Sequence, residues 1–327
     1  MATTPTLTVV LPVYNEEPLL PELHRRLVAA LEPLALPYEI LYVDDGSSDR
    51  SLDVVTAIAR GDPRVGVLAL SRNFGHQMAL TAGLDHARGD GVVLMDSDLQ
   101  DPPELIPELV ARWREGLDVV YAQRRARPGE SAFKRSTAYL FYRFMRTLAS
   151  VDIPADTGDF RLLSRPAADA LRSLRERHRF LRGLVAWLGF RQGRVLYDRL
   201  PRRSGESKYS IRQMARLALF GLFSFSNLPI ALVGLGGGLV CAAAVVALAA
   251  GADAGHAALF FLGGAQLLAV WVLGQYVTTT ADEARRRPLY LVRAAVNVEP
   301  AAPPAAAPRP PGRPGGSPAS APRGTGS

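Results

Sequence analysis

Between Thr6 and Ala122 short apolar runs alternate with stretches of helical spacing, and this alternation leaves few folds open. Thr6 to Pro12, Tyr38 to Asp44, Val65 to Leu70, Gly91 to Met95 and Asp118 to Ala122 read as strands. Glu22 to Leu31, Leu52 to Ala59 behind a Ser48 cap, His76 to Ala87 and Leu105 to Trp113 read as helices. Strands separated by helices of this length predict an α/β fold, a mostly parallel sheet with helices on both faces. Such sheets bind ligands beyond the carboxyl ends of their strands.

Three of those ends carry chemistry. Asp96-Ser97-Asp98 follows the fourth strand, and alternate side chains of an extended segment face the same way. Both acids therefore converge on one point, a seat for a hard divalent cation that bridges a diphosphate. Pro12-Val13-Tyr14-Asn15-Glu16 closes the first strand and Asp44-Asp45-Gly46-Ser47 the second. An aromatic ring, a carboxylate and exposed backbone at adjacent ends suit a base and ribose, and Gly46 permits a tight turn. His76 and His86 lie on one helix with no acid spacing to complete a ligand set, and read as structural.

The rest of the chain points to a membrane. Phe133 to Val151 and Tyr209 to Phe225 mix arginines with large apolar residues, as amphipathic helices at a bilayer interface do. Leu228 to Ala250 and Ala257 to Thr278 carry no charge, and the first would reach roughly 34 Å as a helix, enough to cross the hydrocarbon layer. Arg202, Arg203, Lys208, Arg212 and Arg216 precede the pair and Arg285, Arg286, Arg287 and Arg293 follow it, which sets both flanks on the cytoplasmic side. The net charge of +7 tracks these flanks, so nucleic acid is not the expected partner. Met1 to Pro5 shows no basic and apolar leader, and the lone Cys241 excludes a disulfide framework. From Val298 onward the composition falls to Ala, Pro, Gly, Ser and Arg, an expected disordered tail. The expected divisions are an α/β core over 1–125 and a less regular part with the interface helices over 126–226. A transmembrane hairpin over 227–280, a juxtamembrane segment over 281–297 and the tail over 298–327 complete them.

The segments Thr8 to Glu16, Val43 to Ser47, Leu70-Ser71-Arg72-Asn73-Phe74-Gly75 and Asp96 to Pro103 resemble the family 2 glycosyltransferases of the GT-A fold. Within that family the chain looks like the polyprenyl-phosphate glycosyltransferases, which include the bactoprenol glucosyltransferases and dolichyl-phosphate mannose synthase. Gly158 to Leu162, Phe180 to Leu184, Gly205 to Tyr209 and Arg287 to Tyr290 match further. Ser97 stands where many relatives carry Ala.

The resemblance implies roles. Pro12, Tyr14 and Glu16 would line the base and ribose pocket, with Val43, Asp44 and Asp45 opposite and Ser97 and Gln100 nearby. Asp96 and Asp98 would hold Mg²⁺ or Mn²⁺, with Gln100 close to that sphere. Asp159 would orient the acceptor or assist with a proton. Arg124, Arg161, Arg202 and Lys208 are candidates for the acceptor phosphate or diphosphate, since a guanidinium matches phosphate oxygens and lysine adds a point charge. The expected reaction is inverting transfer of a sugar from a nucleotide sugar, UDP-glucose first, to undecaprenyl or a similar polyprenyl phosphate. The expected place is the inner (cytoplasmic) membrane, with two spans and both the catalytic domain and the C-terminus cytoplasmic. The alternatives are a transferase for a soluble or polysaccharide acceptor, and a catalytically dead membrane scaffold. The sugar, the metal and the number of subunits stay open, a homo-oligomer being one option.

Overall fold

A computed structural model describes residues 5–125, 157–177, 179–198, 233, 235–236, 239 and 255–299. Its strands are β1 (Leu7–Val13), β2 (Tyr38–Asp44), β3 (Val65–Leu70), β4 (Gly91–Leu94), β5 (Val119–Arg124), β6 (Thr157–Ser164), β7 (Gln192–Tyr197) and β8 (Val292–Val296). They form one sheet in the order β7-β5-β6-β4-β1-β2-β3-β8. β4, β1, β2 and β3 run parallel, while β6 is antiparallel to both its neighbours and β8 is antiparallel to β3. The helices are α1 (Leu20–Leu31), α2 (Ser51–Gly61), α3 (His76–His86), α4 (Ile106–Arg114), α5 (Arg165–Ser173), α6 (Leu181–Trp187) and α7 (Gly255–Ala284).

The central strands β1, β2 and β3 are buried along their whole length, which is why they read as unbroken apolar runs rather than as alternation. Two hydrophobic clusters flank them. One gathers Leu20, Leu23 and Leu27 of α1 with Val55, Leu109 and Val110, and the other gathers Leu80 and Leu84 of α3 with Leu171, Leu181 and Leu184. Gly83 lets α3 sit directly on the sheet, since a Cβ there would stand 2.1 Å from Val10 Cγ1. Below the sheet end, Thr8 donates to Glu39 at 2.6 Å, and the Arg88 guanidinium closes on the same carboxylate at 2.6 and 2.8 Å.

Helices on both faces of a mixed sheet match the α/β expectation. Two details differ. The residue at the cap of α2 is Arg50; Ser48 lies three positions ahead of the helix, with its amide and hydroxyl both donating to Asn15 Oδ1. The segment after β5, which shows no clear strand signal in sequence, supplies β6 and β7, so the sheet draws strands from both sides of residue 125. β8 comes from the juxtamembrane segment after α7 and covers the β3 edge, where the Asn297 side chain donates to the carbonyls of Ala59 at 2.6 Å and Val65 at 3.0 Å.

Of the two expected spans, Ala257 to Thr278 falls within α7, and Leu228 to Ala250 lies outside the described residues but for four isolated positions. Among the described residues no helix is long and apolar enough to cross a membrane. The expected interface helices at Phe133 to Val151 and Tyr209 to Phe225, Arg202, Lys208, and the tail beyond Glu299 also lie outside the described residues.

Candidate active site

The chain leaves β1 on one side toward β2 and returns on the other as β4, so a crevice opens beyond the carboxyl ends of β1 and β4. The Ser97 hydroxyl donates to the Pro12 carbonyl at 2.8 Å and ties those two ends together. On the β2 side Asp45 is buried. Its two oxygens accept the backbone N–H groups of Phe74 at 2.7 Å and Gly75 at 2.9 Å, and so fix the loop that leads into α3. Gly46 has φ 71°, and a Cβ on it would meet the backbone of Arg72 at 2.6 Å, so only glycine lets these loops touch. The Ser47 amide donates to Asp44 Oδ2 at 3.3 Å, while the buried Asp44 Oδ1 has no hydrogen-bond partner.

β6 brings the second half of the site. It runs antiparallel to β4 with Leu94 opposite Arg161, and continuing that register two residues sets Asp96 beside Asp159. His76, first residue of α3, fills the space between them, with Nε2 3.3 Å from Asp96 Oδ1 and 3.3 Å from Asp159 Oδ2. Burial disfavours an imidazolium here, but the two acids outweigh it and lift His76 to about 9. Burial pushes the Asp96 carboxyl up, against the pull of His76. Burial also works against the Asp159 charge, but Arg182 and His76 more than offset it and hold that carboxylate well below the usual range.

The expected residues divide as follows. Asp96 and Asp159 meet. Asp98 turns its Oδ1 to the Gln100 amide at 3.1 Å, and Gln100 is buried behind it. Tyr14 is exposed at 38% and Glu16 half-buried, both at the mouth of the crevice. The Val43 side chain lies fully buried in the core beside Gly83. The Arg161 side chain is only 5% exposed and braces the carbonyls of Gly158 and Asp159, with burial pulling it down to about 10. Arg124 lies over Gly158, where a Cβ would meet its Nη2 at 3.1 Å, and donates to the Tyr197 hydroxyl, which in turn donates to Asp101. Sequence reasoning missed His76, Gln77 and Arg182. The Phe180 to Leu184 segment signalled Arg182 without giving it a role, and nothing local signalled the other two.

A divalent cation fits this crevice on one observation. Among the described residues Asp96 Oδ1 is buried and takes no well-aligned hydrogen bond, its near neighbour being the His76 ring at 3.3 Å, and hard cations take such oxygens. His76, Asp96 and Asp159 also offer ligand atoms within 4.8 Å of one another. Asp159 already faces the Arg182 guanidinium at 3.0 Å, a poor neighbour for a second cation.

A parallel-centred mixed sheet with acids beyond the strand ends at its switch point is a GT-A-like α/β arrangement. The profile of glycosyl transferase family 2 matches residues 8–172, and the chain belongs to that family. An uncharacterized glycosyltransferase of Bacillus subtilis is 42% identical over 89% of this chain and 94% of its own. A prophage bactoprenol glucosyl transferase homolog of Escherichia coli is 35% identical over 88% of this chain and 98% of its own. The bactoprenol glucosyl transferase of Shigella phage SfV is 36% identical with the same coverage. Among solved structures, glucosyl-3-phosphoglycerate synthase from Mycobacterium tuberculosis is 22% identical over 66% of this chain and 76% of its own, with a TM-score of 0.44.

Proposed function

We propose that this chain transfers a sugar from a nucleotide sugar, UDP-glucose being the first candidate, to polyprenyl phosphate on the cytoplasmic leaflet of the inner membrane. The observation that carries this reading is the reach of the likeness. Proteins named bactoprenol glucosyl transferases match over 88% of this chain, well past the sheet and through the apolar segments. Membrane attachment through Leu228 to Ala250 and Ala257 to Thr278 is part of the proposal. It is supported by the exposed Leu259, Leu262, Val270, Leu273 and Val277 of α7, an apolar surface that water does not favour.

In the reaction, an oxygen of the acceptor phosphate attacks the anomeric carbon. The bond from that carbon to the diphosphate breaks, and its electron pair leaves with the nucleoside diphosphate, so the anomeric centre inverts. A phosphate monoester with a second pKa of about 6 is already a dianion at neutral pH, and no proton has to be removed first. Tyr14 at the mouth and the loop fixed by Asp45 would hold the nucleoside. Asp96 and Asp98 would hold Mg²⁺ or Mn²⁺, which would supply charge neutralisation at the departing diphosphate. The residues themselves orient the two reactants at one crevice, which removes much of the entropic cost of their meeting.

The test offers the purified full chain a panel of nucleotide sugars, short-chain polyprenyl phosphate and Mg²⁺ or Mn²⁺, and looks for glycolipid by mass. A β-linked lipid-phosphate sugar from a UDP-sugar, lost in excess EDTA and restored by added cation, is the expected result. Transfer to a soluble or polymeric acceptor with none to the lipid overturns the proposal.

A further inference from the structure

Asp159 is heavily committed as a hydrogen-bond acceptor. The side chain is 4% exposed. Its Oδ1 takes Arg182 Nε at 3.0 Å, and its Oδ2 takes Arg182 Nη2 at 3.3 Å, Gln77 Nε2 at 3.0 Å and the His76 ring at 3.3 Å. Two guanidinium donors, one carboxamide donor and the neighbouring His76 ring engage most of the carboxylate's lone-pair sites. Gln77 does a second task with its other end: its Oε1 accepts the amide of Leu181 at 3.1 Å, the residue that opens α6 and precedes Arg182. One carboxamide therefore joins the carboxylate to the helix that carries its partner guanidinium.

The result is a row of contacts: Asp96, His76, Asp159 and then Arg182. The far end of the row is the accessible one, with the Arg182 side chain 34% exposed. Arg161 touches the same acid but is buried, with its donors committed to carbonyls. A planar guanidinium anchored on one edge by a carboxylate is preorganised to meet phosphate oxygens with another.

The geometry points to Asp159 and Gln77 as positioning residues, which together hold Arg182 to receive a phosphate group of a reactant. The chemistry recognised is an anionic phosphate. Two sources offer it, the lipid acceptor's monoester and the donor's diphosphate. The inference deepens the sugar-transfer proposal and rests on it, and it removes Asp159 from the role of proton acceptor.

The experiment uses the full chain as Arg182→Lys, Gln77→Leu and Asp159→Asn, with thermal melting to report folding. UDP affinity is measured by calorimetry without acceptor, and steady-state kinetics against short-chain polyprenyl phosphate are recorded over a range of pH. The expected result is a tenfold or greater loss confined to one arm. A raised KM for the lipid phosphate with unchanged UDP affinity assigns the acceptor's phosphate; weakened UDP with unchanged lipid KM assigns the diphosphate. Asp159→Asn should follow the same arm and keep the wild-type pH profile. If Asp159→Asn lowers kcat alone and abolishes the pH dependence, the residue is a base and the inference falls. If it fails to fold, Gln77→Leu carries the decision, and unchanged constants in both arms for Gln77→Leu and Arg182→Lys overturn the proposal. Should the wild type transfer no sugar to lipid phosphate, the functional proposal fails by itself. Arg182 is then judged on binding of UDP and inorganic phosphate, and an Arg182→Lys variant that weakens neither overturns the inference as well.

Discussion

Asp45 shows how one side chain in a turn comes to organise a site. Burial pushes its carboxyl up, and the amides of Phe74 and Gly75 pull the other way by bonding the charged form. Asp45→Asn turns one of those acceptors into a donor that faces an N–H group. The expected cost is about 1–3 kcal/mol, together with weaker UDP binding, because the loop into α3 loses its anchor. Urea denaturation alongside calorimetry checks this, and a variant with wild-type values in both would show that the loop holds itself. The acids at strand ends were legible in the sequence because their signal is local: Asp96 and Asp98 sit two apart behind an apolar run. His76 and Gln77 were not, because their partner Asp159 lies 83 and 82 positions away, and only the antiparallel β6 brings it alongside. The surroundings of Arg161 and Val43 were not legible either, since strand alternation turns the first onto backbone carbonyls and the second into the core.

At the scale of elements, β1 to β5 were readable and β6, β7 and β8 were not. β1 to β4 are buried on both faces, and long apolar runs announce that. β8 is short and mostly exposed, with Arg293 in it, so its composition says little and its pairing with β3 decides its state. Asn297 makes that pairing hard to slip, since one carboxamide bonds both Ala59 and Val65. Asn297→Ala should lower stability by about 1–2 kcal/mol and speed amide exchange in β8 and β3 ahead of β1. Uniform exchange across all three strands would show that β8 is held by other means. The seat of α3 is tighter still. Gly83→Ala forces a methyl against Val10 and Val43 and should cost about 1–3 kcal/mol in a chemical melt. Because α3 also carries His76 and Gln77, the same change should reduce turnover more than its stability loss accounts for.

For the whole molecule the proposed lipid acceptor raises the question of how the crevice would meet a bilayer. α7 leads straight into β8, and its C-terminal end is fastened to the catalytic part: Glu283 accepts the Arg177 amide at 2.6 Å, and just past it the Tyr290 hydroxyl donates to the buried Asp85 at 2.9 Å. Asp85 is held in turn by Arg175 at 2.7 Å and sits near the far end of α3, the helix whose first residue stands between the two site acids. A helix embedded in lipid would therefore fix the height and tilt of the crevice above the surface, instead of leaving the domain on a loose tether. This reading makes a demand on behaviour in cells. The full chain should stay with membranes through high salt and alkaline carbonate and come away only in detergent. A helix lying on the surface through charge and one apolar face would be released by those washes, whereas a pair of spans would not. Release by salt alone would remove the hairpin from the proposal and leave the basic flanks as the attachment. Retention, with Tyr290→Phe lowering transfer to lipid phosphate but not UDP binding, would show that the fastening at Asp85 sets the approach of the acceptor.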